Sequence, residues 1–362
     1  MSLDARTPKM GPETTAIAGV DAKETLFARL ARTQWLQILI VLIAIVVVFS
    51  VMAPDTFPHW GNVRLIIQNA SILAVLAVGI TFVIITSGID LSIGSVLVFS
   101  GVAAAIAMRT IGGDGWGTAI VGIVVSIAAG LFWGFFNGFV IAKLKVPPLI
   151  VTLGTMGIAL GLAQILTGGV DIREVPQVLT ESIGYGNVFG TIPIISVIAL
   201  VVIVIGAIVL HRTRFGLHTY AVGSNEESAR RVGVKVDRRL IAVYALTGGL
   251  AGLAGIMSLA QFSTTAIAGQ TETNLNVITA VVIGGTSLFG GIGTIIGSIV
   301  GLFIPAVLQN GFVILGVQPF WQQVAVGAVL IVAVYVDQVR RAQASRGGDV
   351  SVWKHLFARR RG

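Results

Sequence analysis

Long apolar runs constrain this chain more than any other feature of its sequence. Ten such runs follow one another, each between 14 and 23 residues long, and about 20 apolar residues suffice for a helix to cross a bilayer. Charged residues make up only 11% of the 362 residues, against about 25% in an ordinary soluble protein. We therefore predict an all-α polytopic membrane protein with about ten transmembrane helices. The predicted crossings are 35–51, 66–85, 95–108, 118–140, 149–166, 192–210, 240–259, 275–288, 292–308 and 320–336.

Lysine and arginine indicate the orientation, because these residues concentrate in cytoplasmic loops. If the N-terminus is inside, 21 of the 24 basic residues fall on the cytoplasmic side. Five precede the first run, two lie at Lys143 and Lys145, seven lie in 212–239 and seven follow Asp337. We predict that both termini are cytoplasmic. The net charge of +8 then reflects membrane orientation, and no nucleic-acid partner is expected.

Three regions follow from this pattern. Residues 1–34 are polar and form a flexible cytoplasmic tail, residues 35–336 form the transmembrane domain, and residues 337–362 form a basic cytoplasmic tail. A cleaved signal peptide is an alternative interpretation of the first run, but the long charged region before it favours an uncleaved span. Cysteine is absent, which excludes disulfides, thiolate metal sites and cysteine nucleophiles.

Two of the apolar segments are short, are interrupted by glycine and contain similar words. GIDLSIGS at 88–95 aligns with GIGTIIGS at 291–298, with five of eight positions identical. Chance is one explanation, because glycine and isoleucine are common in this chain. An internal repeat is the other, and paired interrupted helices in two repeats indicate a translocation path. Six intervening crossings would give both copies the same orientation, so the repeat is predicted to be parallel.

Asp90 is a carboxylate between these glycines and next to apolar runs. A charge at the centre of a bilayer costs roughly 2.5–3.5 kcal/mol even on the lenient insertion scale. Asp90 or Ser92 could cap the third predicted crossing, or accept backbone N–H groups freed at the break. Thr86, Asp90 and Ser92 could also contact a substrate. These roles are compatible with one another.

The loop at 211–240 contains a predicted short helix. Ser224 and Glu227 match a capping box, with serine at the N-cap, and Gly233 supplies a stop. A helix of two turns is unstable alone in water, so it must pack on this chain or on a soluble partner. The predicted coupling residues are Ser224, Asn225, Glu226, Glu227, Ser228, Ala229, Arg230 and Arg231.

Several words, in order, resemble a known family. GIDLSIGS at 88–95, AVGSNEESAR at 221–230, AVVIGGTSLFGG at 280–291 and QNGFVILGV at 309–317 are similar to permease subunits of ribose/xylose/galactoside-type ABC importers. The resemblance covers roughly residues 35–337. It implies a bacterial cytoplasmic (inner) membrane location, and a monosaccharide delivered by an extracytoplasmic sugar-binding protein.

The resemblance also implies partners. They are an ABC ATP-binding subunit, against which the helix at 224–231 would fit as a coupling helix, and a second permease copy, most simply a homodimer. Membrane lipid surrounds the spans. The chain has no Gly-x-x-x-x-Gly-Lys-Ser/Thr phosphate loop. We therefore expect no cofactor in this chain and no enzyme activity of its own, with ATP and Mg²⁺ bound by the partner ATPase.

Four amides near predicted span ends complete the predicted path: Gln68, Asn69, Asn274 and Asn276. Relatives often carry Glu-Leu-Asp at the positions of Asn274-Leu275-Asn276. The two amides of this chain therefore remove negative charge at the outer mouth of the predicted path. Amides can donate to and accept from sugar hydroxyls. Capping or joining helices is the alternative role for these side chains.

Other functions fit less well. An ion-coupled secondary transporter usually carries several ionisable groups in its spans, whereas here only Asp90 qualifies. An intramembrane aspartyl protease needs two carboxylates in one site, and Asp90 has no partner acid in a predicted span. Branched-chain amino-acid import is the nearest alternative within the same superfamily.

Overall fold

The computed structural model describes residues 34–267 and 273–318, and single helical positions between residues 320 and 338. A π-helical turn spans Thr180–Gly184. The strands β1 (Asn187–Val188) and β2 (Ile192–Pro193) pair as a small antiparallel hairpin. The helices are α1 Gln34–Met52, α2 Trp60–Ile85, α3 Ile93–Ile111, α4 Trp116–Lys143, α5 Pro148–Thr167, α6 Gln177–Leu179, α7 Ile194–Arg212, α8 Arg214–Ser224, α9 Glu226–Arg231, α10 Val236–Phe262, α11 Thr273–Ile283 and α12 Ile295–Ile314.

The predicted all-α polytopic fold is confirmed. Seven described helices, α2 to α5, α7, α10 and α12, are long and apolar enough to cross a membrane. Helices α1 and α11 coincide with two further predicted crossings but have shorter apolar stretches. The tenth predicted crossing, at 320–336, lies outside the continuously described residues, as do the predicted tails before residue 34 and after residue 338.

The eighth predicted crossing, at 275–288, is helical in the described residues as far as Ile283. The described part of α11 has 11 residues and is about 16 Å long, about half the hydrocarbon thickness of a bilayer. The chain leaves the helical conformation after Ile283, and Gly285 has φ +90°, which glycine adopts at little cost. In the described residues, α11 is followed by an irregular connection at 284–294.

Helix α10 occupies the centre of the bundle and packs against α2, α3 and α4. Its contact with α4 depends on glycine. A methyl group at Gly248 would overlap the Gly130 carbonyl, and one at Gly134 would overlap the Tyr244 carbonyl. Without side chains between them, the two backbones approach closely, as is common between membrane helices.

The outer faces of α4, α5 and α7 are strongly apolar. Phe132, Ile150 and Leu200 are examples of large side chains that are more than 55% exposed. Soluble domains rarely expose a contiguous apolar surface of this extent to water. These faces are suited to contact membrane lipid, as the sequence predicts.

The two predicted interruptions are present and are locally alike. Residues 86–92 separate α2 from α3, and residues 284–294 separate α11 from α12. Each following helix has a glycine in its first turn, and each of these glycines donates its N–H to a side-chain oxygen. The Gly94 N–H donates to Asn274 Oδ1 (2.6 Å), and the Gly297 N–H donates to Thr294 Oγ1 (3.0 Å). The parallel orientation of the repeat remains a prediction.

Candidate translocation and coupling site

Asp90 lies in the irregular segment 86–92 and is only 2% exposed. Its Oδ1 accepts hydrogen bonds from the Ser92 backbone N–H (2.8 Å) and from the Ser92 hydroxyl (2.6 Å). The carboxylate thus satisfies a backbone group in the unwound segment, which is one of the predicted roles. Irregular backbone at membrane depth requires such internal partners.

The network extends from Ser92 to two neighbouring helices. The Asn137 amide of α4 donates to Ser92 Oγ (2.9 Å), and the Thr155 hydroxyl of α5 donates to Asn137 Oδ1 (2.5 Å). All three side chains are 1% exposed. Fully paired buried networks rigidify their surroundings, so this chain of bonds holds the segment before α3 in one position.

The predicted cap of α3 is partly wrong. Ser92 occupies the N-cap position but makes no side-chain capping bond, because its hydroxyl is turned to Asp90. Asn274, at the start of α11, accepts the N–H of Gly94 instead. One interrupted helix is therefore capped by a residue of the other.

The four amides of the predicted path have different surroundings. Gln68 donates to the Gly184 carbonyl (3.1 Å), and the exposed Asn69 accepts from Gln261 (2.8 Å). Asn274 is buried beside Gly94, and Asn276 is half-buried. Gln68 and Asn69 thus make their contacts from α2, and Asn274 caps α3. That these amides face a translocated sugar remains a prediction.

Thr86 and Ser87 mark the end of α2. Thr86 is buried and donates back to the Val83 carbonyl (2.7 Å). Ser87 has φ +62°, a conformation that non-glycine residues rarely adopt. Its hydroxyl lies 2.8 Å from the Phe289 carbonyl and 3.2 Å from the Gly223 carbonyl. Ser87 thus contacts both the second interruption and the end of α8.

Further bonds tie these three segments together. The Gly291 N–H donates to the Ile85 carbonyl (2.9 Å), and the Tyr220 hydroxyl of α8 donates to the Gly293 carbonyl (2.6 Å). Burial raises the pKa of Tyr220 to about 12, so the phenol remains protonated and able to donate. We call the contact of residues 85–87, 220–224 and 289–293 the junction. It joins both interruptions to α8, the helix that directly precedes α9.

The predicted short helix in the loop 211–240 is present, but its N-cap lies one residue later than predicted. Ser224 is the last residue of α8, and Asn225 is the N-cap of α9, with Oδ1 accepting from the Ser228 N–H (2.8 Å). The capping box from Ser224 to Glu227 is therefore wrong. The backbone of Asn225 is extended, as an N-cap requires, whereas Ser224 is still helical. Gly233, with φ +87°, follows the helix as predicted.

Ala229 is buried in this chain, at 3% exposure, among Val222 of α8 and Val236 of α10. The helix therefore packs on its own membrane domain, which was one of the two predicted alternatives. The opposite side of α9 is exposed, including Ser228 and Val232. Docking by a partner is thus restricted to that side.

Charged residues hold α9 against α10. Glu226 pairs with Arg230 (2.9 Å), and Glu227 pairs with Arg231. Arg230 also contacts Asp237 of α10 (2.9 Å), and these two acceptors raise the pKa of the Arg230 guanidinium. Asp237 further accepts from Lys143 and Lys145 at the end of α4. Exposed pairs contribute only about 0–1 kcal/mol each, but here they converge on one carboxylate.

Sequence reasoning did not identify Asn137, Thr155 or Tyr220. Each lies within a helix, and each contacts a residue far away in the chain. A polar residue in an apolar run was the available signal for Asn137, because membrane helices place such groups toward the bundle interior.

Comparisons with known proteins agree with this arrangement. Residues 62–334 match the family described as branched-chain amino acid transport system / permease component. The ribose import permease protein of Escherichia coli K12 is 36% identical over 84% of this chain and 93% of its own length. The fructose import permease protein of Rhizobium meliloti is 33% identical over 85% and 86%.

A third relative is the autoinducer 2 import system permease protein of Yersinia enterocolitica, 33% identical over 84% of this chain and 83% of its own length. No solved structure matches the chain. The family match at residues 62–334 extends over all but the first of the described helices. The chain therefore belongs to the family described as branched-chain amino acid transport system / permease component.

Proposed function

We propose that this chain is the membrane-spanning permease subunit of an ATP-driven ABC importer that carries a monosaccharide. The observation that supports the proposal most directly is the junction, which connects both interrupted segments to the end of α8, immediately before the exposed helix α9. An exposed short helix fixed to the segments that interrupt the spans can transmit motion from a soluble partner. The names of the ribose and fructose import permeases support a sugar as cargo.

The proposed assembly has three kinds of component: two copies of this chain, an ABC ATP-binding subunit and an extracytoplasmic binding protein. An ABC ATP-binding subunit binds ATP and Mg²⁺ and docks on the exposed side of α9. An extracytoplasmic binding protein delivers the sugar, and a second copy of this chain completes the membrane domain. The α9 end faces the cytoplasm, as do both termini, since the basic residues near Lys143 and in 212–239 lie at that end.

In this assembly Asp90, Ser92 and Asn274 hold the unwound segments, and the path passes close to them. Thr86, Gln68, Asn69 and Asn276 remain proposed path residues. Branched-chain amino-acid import is the second candidate, and the description of the matching family favours it. The sugar permeases among the relatives favour the first.

Uptake measurements test the proposal. Deleting the gene for this chain in its host should abolish or reduce uptake of radiolabelled D-ribose or D-fructose and leave L-leucine uptake unchanged. Expression of the intact chain should restore sugar uptake. Loss of leucine uptake with normal sugar uptake would support the amino-acid alternative instead.

Cross-linking tests the coupling helix. The chain contains no cysteine, so Ser228→Cys introduces a single exposed thiol on α9. It should cross-link to a cysteine in the surface groove of the ATPase, with a yield that changes when nucleotide is added. Leu217→Cys, on α8 and 66% exposed, is the matched control. Cross-linking from neither Ser228 nor any other exposed position of α9 would exclude this helix as the coupling element.

A further inference from the structure

Four exposed cations lie near the start of α8, at the membrane end of the bundle that carries α9. Arg212 is the last residue of α7 and Arg214 is the first of α8, whereas Lys235 directly precedes α10 and Arg238 lies in its first turn. All four side chains are exposed. We call these four residues the basic patch.

Contacts made by Arg239 hold the two halves of the basic patch together. Its guanidinium carbon lies 4.3 Å from the centroid of the Phe215 ring, and its Nη2 lies 3.0 Å from Nδ1 of His218. Phe215 directly follows Arg214, and Arg239 directly follows Arg238. The first turn of α10 is therefore fixed against α8, which brings the cations of both helices to one surface.

The basic patch has no acidic partner among the residues that the structure describes. The described salt bridges at this end connect three carboxylates to four other cations. The carboxylates are those of Glu226, Glu227 and Asp237, and the cations are Lys143, Lys145, Arg230 and Arg231. Like charges on one surface repel one another. An anion from outside the described chain would relieve this repulsion.

The depth of the basic patch indicates where such an anion comes from. The apolar run of α7 ends at Leu210, so Arg212 and Arg214 lie where a span leaves the hydrocarbon. Leu217, one turn after Arg214, is 66% exposed. Basic and apolar side chains on one surface are typical of contact with the lipid interface. A soluble phosphate would gain nothing from Leu217, whereas the acyl chain of a lipid would pack on it.

We infer that the basic patch binds the head group of an anionic phospholipid, such as phosphatidylglycerol, in the leaflet on the α9 side. Guanidinium groups bind phosphate oxygens through paired hydrogen bonds, and two or more arginines can share one phosphate. Such a site would exist whatever the cargo, because it requires only that the chain spans a membrane. Helix α8 also carries Tyr220, whose hydroxyl donates to the Gly293 carbonyl (2.6 Å). The bound lipid would therefore rest on the helix that reaches the junction.

Lipid binding to the full-length chain tests this site. Native mass spectrometry of the protein purified in detergent measures the fraction of molecules that carry one added phospholipid. This fraction should be several-fold higher with phosphatidylglycerol than with phosphatidylcholine of the same acyl chains. Millimolar inorganic phosphate should not displace the phosphatidylglycerol, because phosphate lacks the acyl chains that pack beside Leu217.

Two double variants with the same change in net charge locate the site. Arg214→Gln/Arg238→Gln should lower phosphatidylglycerol binding to the level of phosphatidylcholine and leave phosphatidylcholine binding unchanged. Lys143→Gln/Lys145→Gln removes cations that are already paired with Asp237 and should keep the preference for phosphatidylglycerol.

Four results would overturn the inference. They are equal binding of both lipids by the unaltered chain, a preference kept in the arginine variant, a preference lost in both variants, and displacement of the lipid by inorganic phosphate. Arg214→Lys/Arg238→Lys keeps both charges and should retain the preference, which guards against a loss of folding in the glutamine variant.

Discussion

At the scale of single residues, Asp90 shows how a carboxylate is retained in an apolar chain. One of its oxygens accepts from both the amide and the hydroxyl of Ser92, and Ser92 accepts in turn from Asn137. A buried acceptor of this kind is expensive to remove, because the donors that it satisfied are then left unpaired.

Two substitutions of Asp90 separate hydrogen bonding from charge. Asp90→Asn keeps an oxygen that can accept from Ser92, so uptake should remain close to normal. Asp90→Leu leaves the donors unpaired and should destabilise the protein by about 1–3 kcal/mol, with loss of uptake. Sugar uptake and thermal unfolding in detergent measure both effects. Near-normal behaviour of both variants would show that the carboxylate has neither a structural nor a transport role.

Asn274 offers a second test at this scale. Asn274→Ala removes the acceptor for the Gly94 N–H and should cost about 1 kcal/mol, as the loss of a cap does. Asn274→Asp retains the oxygen and serves as the control. Asn276 is only half-buried, so Asn276→Ala should leave the unfolding temperature unchanged. As a substitution of a proposed path residue, it should lower uptake. Unchanged uptake in Asn276→Ala would remove that residue from the proposed path.

At the scale of elements, the molecule depends on helices that approach without intervening side chains. Helices α4 and α10 meet through Gly130, Gly134, Gly248 and Gly252. In contrast, a methyl group at Gly161 of α5 would meet nothing within 4 Å. Glycine is therefore required for packing between α4 and α10, whereas Gly161 is only a flexible helix residue.

A matched pair of substitutions tests this difference. Gly248→Ala should destabilise the protein by about 1–3 kcal/mol, because the added methyl overpacks the contact with α4. Gly161→Ala should be neutral or stabilise the protein by about 0.5–1 kcal/mol, because alanine favours the helix. Thermal unfolding in detergent compares the two directly. Equal effects would mean that the close approach of α4 and α10 contributes little.

Helix α9 is also an element whose two sides differ. Ala229 lies between α8 and α10, so a bulky residue there would first disturb packing within this chain. Val232 is 79% exposed and is the apolar side chain available to a partner at the end of the helix. The helix is thus fixed to the membrane domain on one side and free to dock on the other.

At the scale of the whole molecule, the arrangement of basic residues predicts one orientation in the membrane. Ser228 is exposed on α9, and Tyr185 is 59% exposed in the segment between α6 and α7. Single cysteines at these two positions should be labelled by an impermeant maleimide from opposite sides, with Ser228→Cys reactive only from the cytoplasm. Labelling of both from the same side would contradict the predicted topology.

The sequence by itself determined the class of the molecule and the existence of its main parts. Apolar runs of sufficient length predict helices 66–85 or 118–140 without reference to any other segment, because a bilayer imposes the same length on every span. The glycine interruptions and the short helix before Gly233 were also predicted, since turn and stop signals act over a few residues.

Only the tertiary structure decided which partners these parts have. The cap of α3 comes from Asn274, 180 residues from Gly94, and nothing local in either segment indicates that pairing. Ser224 and Asn225 are both good N-caps, and the choice between them depended on α8 continuing through Ser224. Ala229 is buried because α8 and α10 converge on it. Such outcomes follow from contacts between distant segments, whereas sequence patterns report the conformation of one segment at a time.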